Sequence, residues 1–353
     1  MIGKVKNNFM IIIAFESSCD ETSVSIAKFY KDEKGKDRRE VLSVCTASQI
    51  PIHALYGGVV PEIAGRAHIE AISSLTHKAF EEASLTPDDI DIVAVTNSPG
   101  LVGALLVAVN FAKSFAMAYN KPLVPVNHIR GHIAAAYFEN EDLEAPFFAL
   151  AVSGGHTSMM RVTSPTSFIT VGVTRDDAIG EAFDKVARIL GIPYPGGAEL
   201  DKLASMGDPN AIKLPSASLA GTLDFSFSGI KTAVVNYANT EKMLGRELCR
   251  EDVAASFTKA AVDSVVKNID RAYGEYGFKT LVVSGGVAAN SHLRDALSAW
   301  SDEKGVRLCI PSKKFCGDNA AMIASQGYYE YLAGNTADES LNASPTSRSS
   351  REV

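Results

Sequence analysis

The sequence predicts an α/β protein of two lobes built to one plan, and three observations carry that prediction. The order three strands, helix, strand, helix is read from residue 10 and begins again at residue 147. Glycine- or serine-rich turns close equivalent strands in both halves: Ser17-Ser18, Ser153-Gly154-Gly155 and Ser284-Gly285-Gly286. And 353 residues, 46% of them hydrophobic, suffice for two medium cores. We expect a first lobe over 1–145 and a second over 146–333, facing each other across a nucleotide cleft. An insertion at about 191–250 and a disordered tail over 334–353 complete the expected layout.

Each element has its reason. Strand-like runs at 10–17, 22–29 and 41–49 are separated by the Ser/Asp/Glu turn and the charged stretch KDEKGKDRRE (31–40). PEIAGRAHIEAISSLTHKAFEEA (61–83) is apolar at Ile63, Ala67, Ala71, Leu75 and Ala79, the period of a helix. DIVAV (91–95) reads as a strand, 103–119 as a core helix, PLVPV (122–126) as a strand, and NHIRGH (127–132) as a helix start. The second copy reads as strands at 147–155, 157–162 and 168–173 and a helix at 179–190. The Gly/Pro/Ser-rich insertion follows, then a helix at 251–276, strand 280–284, a helix from Asn290, strand 307–311 and a helix from Asp318 to about 332. The repeat is one of architecture; no residue-level repeat accompanies it.

Composition narrows the function classes. Net charge is −7 and pI near 5.6, so no basic surface dominates, and tight unaided binding to a nucleic-acid backbone is not expected. Five scattered cysteines without a CxxC point to reduced thiols in a cytoplasmic protein. FMIIIAF (9–15) is too short for a signal h-region and is followed by acids, and LVGALLVAVNFAKSFAMAY (101–119) carries Asn110 and Lys113, so neither reads as a membrane segment.

Several residues invite a chemical reading. His128 and His132 lie four apart, so on a helix their rings share one face and offer two nitrogens to a metal. Ile129 stands where the zinc-protease helix carries its glutamate base, so the pair suits ligation without peptide hydrolysis. Two first-turn histidines without a ligand are the plain alternative. The Gly pairs let backbone amides cradle a phosphate or carboxylate, or simply close hairpins. Asp184 has a solvated reading beside Arg188, Asp201 is unremarkable by itself, and Asp318 reads as a helix N-cap. Cys19 has no base near it in sequence and reads as a small buried thiol.

Nine motifs in order, ESSCDET, EIAGRAH, NHIRGH, VSGGHT, GEAFDKVARILG, YPGG, DFSFSGIK, SGGVAAN and FCGDNAAMIA, resemble the bacterial tRNA N6-adenosine threonylcarbamoyltransferase family (TsaD/Gcp, once called O-sialoglycoprotein endopeptidase). The resemblance runs from about residue 10 to 333. It implies the two-lobed actin-like ATPase fold, in agreement with the doubled pattern. Residue by residue it implies metal ligands at His128, His132 and Asp318. Substrate contacts are implied at Val152, Ser153, Gly154, Gly155, His156, Asp184, Gly197, Asp201 and Asn290. With Asp318 assigned to the second lobe, the expected metal bridges the lobes.

The resemblance further implies transfer of threonylcarbamoyl from threonylcarbamoyl-AMP to the exocyclic amine of adenosine-37 in tRNAs reading codons that begin with A. The metal would be one Fe(2+) or Zn(2+) per subunit, and Asp20 and Glu21 are candidates for moving the proton. Implied partners are tRNA, a paralogous subunit of the TsaB type on the N-terminal lobe and a small ATPase of the TsaE type. A metal-dependent endopeptidase and a regulatory ATPase are the alternative readings.

Overall fold

The computed structural model describes residues 9–346 and the backbone of 350–351. It divides into two compact units. The first combines the chain up to Ala145 with Thr163–Phe168 and the stretch from Gly317; the second combines Pro146–Val162 with Ile169–Cys316.

In the first unit, β1 (Phe9–Glu16), β2 (Glu21–Lys31) and β3 (Asp37–Ser48) form an antiparallel meander with a register shift at Ile26/Ala27. A short α1 (Ile50–Ala54), absent from the sequence reading, precedes α2 (Pro61–Ala83), which starts on proline and stops at Ser84 in the left-handed region. Then follow β4 (Ile92–Ser98), α3 (Val102–Ala118), β5 (Leu123–Asn127) and α4 (His128–Ala134). Strands β1, β4 and β5 are parallel, and the sheet order is β3-β2-β1-β4-β5. Central β1 is buried from Ile11 to Glu16, which is why it reads as an unbroken apolar run. Ile72, Ala79 and Phe80 of α2 and Ala108, Val109 and Ala112 of α3 close one core over Ile13, Phe15 and Val93.

The second unit repeats the plan. β6 (Phe147–Val152) pairs antiparallel with β7 (Thr157–Ser164), and β8 (Ser167–Val173) lies next to β7. Helices α5 (Ile179–Ile189), α6 (Gly197–Ala204), α7 (Ser228–Met243) and α8 (Arg250–Tyr276) come next. β9 (Thr280–Ser284), α9 (Ser291–Lys304), β10 (Arg307–Cys309) and α10 (Lys313–Cys316) finish it. The order β10-β9-β6-β7-β8 mirrors the first sheet, with β9 parallel to β6 and β10. The insertion joins the core of this unit: Leu200, Phe225, Phe227 and Ile230 pack in the same cluster as Phe183 and Phe257.

Two expectations are corrected. The last long helix, α11 (Ala320–Leu332), was assigned to the second lobe by its place in the sequence, but it belongs to the first unit. It packs against β1, β2, β5 and α4, and all residues from Ala320 to Tyr328 are buried. Gly327 permits this: a Cβ there would lie 2.7 Å from the Ala94 Cβ of β4. The expected disordered tail is also laid down as far as residue 346. Ala337 donates its amide to Leu123 O (2.8 Å), the Lys113 ammonium to Leu341 O (3.1 Å), and Ser344 N–H to Asn97 O (2.8 Å). Ala337 and Leu341 pack on the first core, two apolar anchors that a polar average composition conceals. Of the remaining tail, residues 347–349 and 352–353 lie outside the described residues. A final short strand, β11 (Ser350–Arg351), pairs with β8.

Candidate active-site residues in the two units

β5 delivers the chain into α4 at NHIRGH. Asn127 caps that helix, its side chain accepting the amides of Ile129 (3.0 Å) and Arg130 (3.1 Å). The cap fixes the first turn, so His128 and His132 meet edge to face with ring centroids 4.6 Å apart, both buried. Asp318 lies just before α11. It does not cap that helix as the sequence reading held; neighbouring Asn319 does, accepting Met322 N–H at 3.0 Å. The Asp318 Oδ1 thus lies 3.0 Å from His132 Nε2 and 3.6 Å from His128 Nε2. The three ligand atoms are all within 4.8 Å of one another. Because the segment from Gly317 folds with the first unit, the whole group lies inside that unit, and the expected bridging of lobes by a metal is overturned.

The donor set fits a divalent cation. Two nitrogens and a carboxylate oxygen at bond lengths of about 2.1 Å would be spaced by roughly 3.4 Å around a tetrahedral ion, close to the observed 3.0 and 3.6 Å. Both ring nitrogens of buried His132 lack a hydrogen-bond partner among the described residues; its approach to Asp318 has the distance of a bond without the alignment. His128 shows the same demand for positive charge. Burial disfavours its protonation, yet the Glu16 and Asp318 carboxylates outweigh it and push its pKa up to about 9.

Glu16, which the sequence reading left without a role, organises this corner. Its Oε2 accepts from His128 Nδ1 (3.0 Å) and from the Thr96 hydroxyl, and its Oε1 accepts Ser18 N–H (2.6 Å). Ser18 Oγ approaches the same Nδ1 at 3.2 Å. With one proton held on Nδ1, a metal replacing the second would bind at Nε2, the atom that faces Asp318. Burial raises the Glu16 pKa, but the His128 imidazole brings it below the usual carboxylate value. The available signal was a carboxylate closing an otherwise apolar buried strand. Gly131 supports the geometry from the other side: a Cβ there would come 2.7 Å from Ile323 Cδ1, so α4 and α11 pack closely.

Asp20 is buried and Glu21 opens β2. Burial, Asp318 and Asp20 together push the Glu21 pKa up to about 9, so three carboxylates crowd here. Burial and Asp20 also push the Cys19 thiol far up, although Cys19 is half-buried and not the fully buried thiol expected.

In the second unit, the turn Val152–His156 is closed by Ser153 N–H to His156 O (2.8 Å) and by His156 N–H to Ser153 Oγ (3.1 Å). Space is open above Gly154 and Gly155, where an added Cβ would meet nothing within 4 Å. Its flanks are tight. A Cβ on Gly180, in the first turn of α5, would be 2.6 Å from Ser153 O, and one on Gly285 (φ +97) would be 2.3 Å from Val152 O. Asp184, one turn along α5, accepts Gly196 N–H (2.8 Å) and so holds the YPGG turn with Gly197. Asn290 caps α9, accepting Leu293 N–H at 2.9 Å. Asp201 Oδ2 takes Ser291 N–H (2.9 Å) and Oδ1 faces His292 Nδ1 (2.7 Å), so it braces the start of α9.

The family described as TsaD, tRNA N6-adenosine threonylcarbamoyltransferase, matches residues 40–325. The chain belongs to this family. A tRNA N6-adenosine threonylcarbamoyltransferase of Clostridium perfringens is 49% identical over 339 residues, covering 96% of this chain and 98% of that one. One of Clostridium botulinum is 50% identical over 335 residues, covering 95% and 96%. Among solved structures, HypF of T. kodakarensis superposes with a TM-score of 0.61 at 15% identity over 95% of this chain and 49% of that one, a likeness of fold. The TsaD-family chain is thus a transferase on a doubled α/β fold, with His128, His132 and Asp318 placed so that they could hold a metal ion. Among its described residues no helix is long and apolar enough to cross a membrane.

Proposed function

We propose that the chain transfers threonylcarbamoyl from threonylcarbamoyl-AMP to the exocyclic amine of adenosine-37 of tRNA, in tRNAs reading codons that begin with A. The observation that supports this most is the buried His128/His132/Asp318 group, with His132 otherwise unpartnered, in a chain that matches the family nearly end to end. The adenosine amine is a poor nucleophile because its lone pair is delocalised into the purine, so the chemistry rests on the activated anhydride. Its nitrogen attacks the carbamoyl carbon, the N–C bond forms, the C–O bond to phosphate breaks, and AMP departs with the electron pair. A bound Fe(2+) or Zn(2+) supplies positive charge that orients and polarises donor oxygens.

The protein's own groups do the rest. Glu16 holds His128 in the ligating tautomer. The Ser153–His156 turn receives donor oxygens on its amides and the Ser153 hydroxyl. Asp184 and Asn290 take ribose and adenine, with Val152, Gly197 and Asp201 shaping that subsite. Asp20 accepts the proton lost by the amine; Glu21, raised to about 9, already holds its own proton at neutral pH.

The protein acts with partners in the cytoplasm, where its tRNA substrate is. With charge −7 it lacks the footprint for tight phosphate binding alone. Between α2 and α3 runs an apolar groove lined by Ile69, Ile72, Leu106, Val107 and Phe111, and we place the TsaB-type subunit there, with a TsaE-type ATPase joining the assembly. The test is to incubate the chain and its partners with tRNA and threonylcarbamoyl-AMP and measure tRNA nucleosides by mass spectrometry. Formation of N6-threonylcarbamoyladenosine, lost on Asp184→Ala together with AMP affinity, is expected. Unmodified tRNA under all conditions would overturn the proposal.

A further inference from the structure

The motif EIAGRAH has so far carried no role, yet its last residue reaches the candidate site through a chain of buried, uncharged hydrogen bonds. Val60 N–H donates to His53 Nδ1 (3.3 Å), and His53 Nε2 faces Gln49 Oε1 (3.0 Å). Gln49 Nε2 donates to His68 Nδ1 (3.2 Å), which also receives the closer Thr22 hydroxyl (2.7 Å). His68 Nε2 faces Cys19 O at 3.0 Å. His53 and His68 are both completely buried.

The partners fix the tautomers. A backbone N–H can only donate, so His53 Nδ1 accepts and its Nε2 carries the proton. Gln49 donates to His68 Nδ1, so the His68 proton is on Nε2, opposite a carbonyl that can only accept. Burial keeps the His68 pKa below its ordinary value, in keeping with a neutral ring. Every donor in the chain points the same way, from α2's start to the Cys19 carbonyl, and such chains reinforce one another.

We propose that His68 is a positioning residue for the transfer reaction. It clamps both ends of the Cys19–Thr22 turn, the Cys19 carbonyl through Nε2–H and the Thr22 hydroxyl through Nδ1, and so presents Asp20 and Glu21. Gln49 adds a third hold, its own N–H donating to Asp20 O at 2.9 Å. The turn needs holding, because it runs beside Asp318: Ser23 Oγ accepts Ala320 N–H at 3.0 Å. This proposal rests on the reading of Asp20 as the proton carrier.

The test uses the full chain with its partners and compares His68→Leu, His68→Gln, Asp20→Asn and the double variant His68→Leu/Asp20→Asn at equal metal content. Amide exchange over 18–22 in His68→Leu should quicken by about ten-fold while β4 and β5 keep their protection. Its kcat should fall by about ten-fold with KM for threonylcarbamoyl-AMP held within about two-fold. His68→Gln, whose carbonyl can accept from Thr22 and whose NH2 can donate to Cys19 O, should recover most of the rate. The double variant should be no slower than Asp20→Asn alone, since both act through one group. Additive losses, unchanged exchange, or a Gln variant as slow as Leu would overturn the proposal. If Asp20→Asn alone leaves kcat intact, the proton-carrier reading fails, and the exchange comparison still decides the clamp. If His68→Leu does not fold, Thr22→Val removes the closer donor at similar shape, and the same comparisons decide.

Discussion

Replacing Glu16 by Gln changes one oxygen for an NH2 group at the base of the metal corner, and the structure says what must follow. Three donors converge on the carboxylate: Ser18 N–H at 2.6 Å on Oε1, with His128 Nδ1 at 3.0 Å and the Thr96 hydroxyl on Oε2. A glutamine has a single acceptor oxygen to offer. If that oxygen stays with His128, the new NH2 confronts Ser18 N–H, leaving a buried donor unpaired at a cost of about 1–3 kcal/mol. If it turns toward Ser18, the NH2 donates to His128 Nδ1 and drives the ring proton to Nε2, the atom facing Asp318. Either way the ligating tautomer is disfavoured. Loss of a partner of this kind lowers metal affinity by about 10- to 100-fold, or about 1.4–2.7 kcal/mol. The assay is competitive titration of Zn(2+) or Fe(2+) against a chelator of known affinity, with circular dichroism to establish that the variant is folded. A folded Glu16→Gln protein with metal affinity within two-fold of the parent would refute the tautomer argument.

Two further outcomes are expected. Gly180→Ala puts a Cβ 2.6 Å from the Ser153 carbonyl, a backbone atom that cannot rotate away, so the Val152–His156 turn must shift. AMP affinity should fall by about ten-fold or more, with a stability loss of about 1–3 kcal/mol, and calorimetry with intact affinity would remove that turn from the nucleotide subsite. Acid should weaken the second unit. Burial raises the Asp176 and Asp177 pKa values, but hydrogen bonds from Ser226 and Ser228 to the first, and from Lys185 and Lys231 to the second, hold both below the ordinary 3.8. Depressed carboxylates give their full stabilisation above the unfolded value and lose it below, so melting temperature should drop between pH 4 and the acid limit. Asp177→Asn should flatten that slope, and an unchanged slope would remove the Lys185–Asp177–Lys231 cluster as its source.

The sequence showed most of the elements because their periods are strong. The apolar run at 9–15 and the helical spacing over 61–83 have few competing readings, and α2 was met with the same ends. Where two residues of like propensity adjoin, pattern reading had no way to choose. Asp318 and Asn319 both favour N-caps, and only the packed helix reveals that Asn319 takes the role and frees Asp318 for the histidines. Order along the chain also misassigned α11, since a helix buried on nearly all sides carries no mark of which sheet covers it. The supporting contacts were beyond reach for a plainer reason. Glu16 and His128 are 112 positions apart, and His68 and Cys19 are 49 apart, distances at which spacing carries no information. Asp201 was matched by motif, but its engagement with Ser291 and His292 depends on how α6 meets α9.

The central claim is that His128, His132 and Asp318 of one unit hold the metal that supports transfer. The most direct measurement is metal content by mass spectrometry of the purified chain and of Asp318→Ala, each loaded under identical conditions and then dialysed. The account predicts close to one ion per chain in the parent and a small fraction of that in a variant that melts as a folded protein. An equal ion content in both would contradict it.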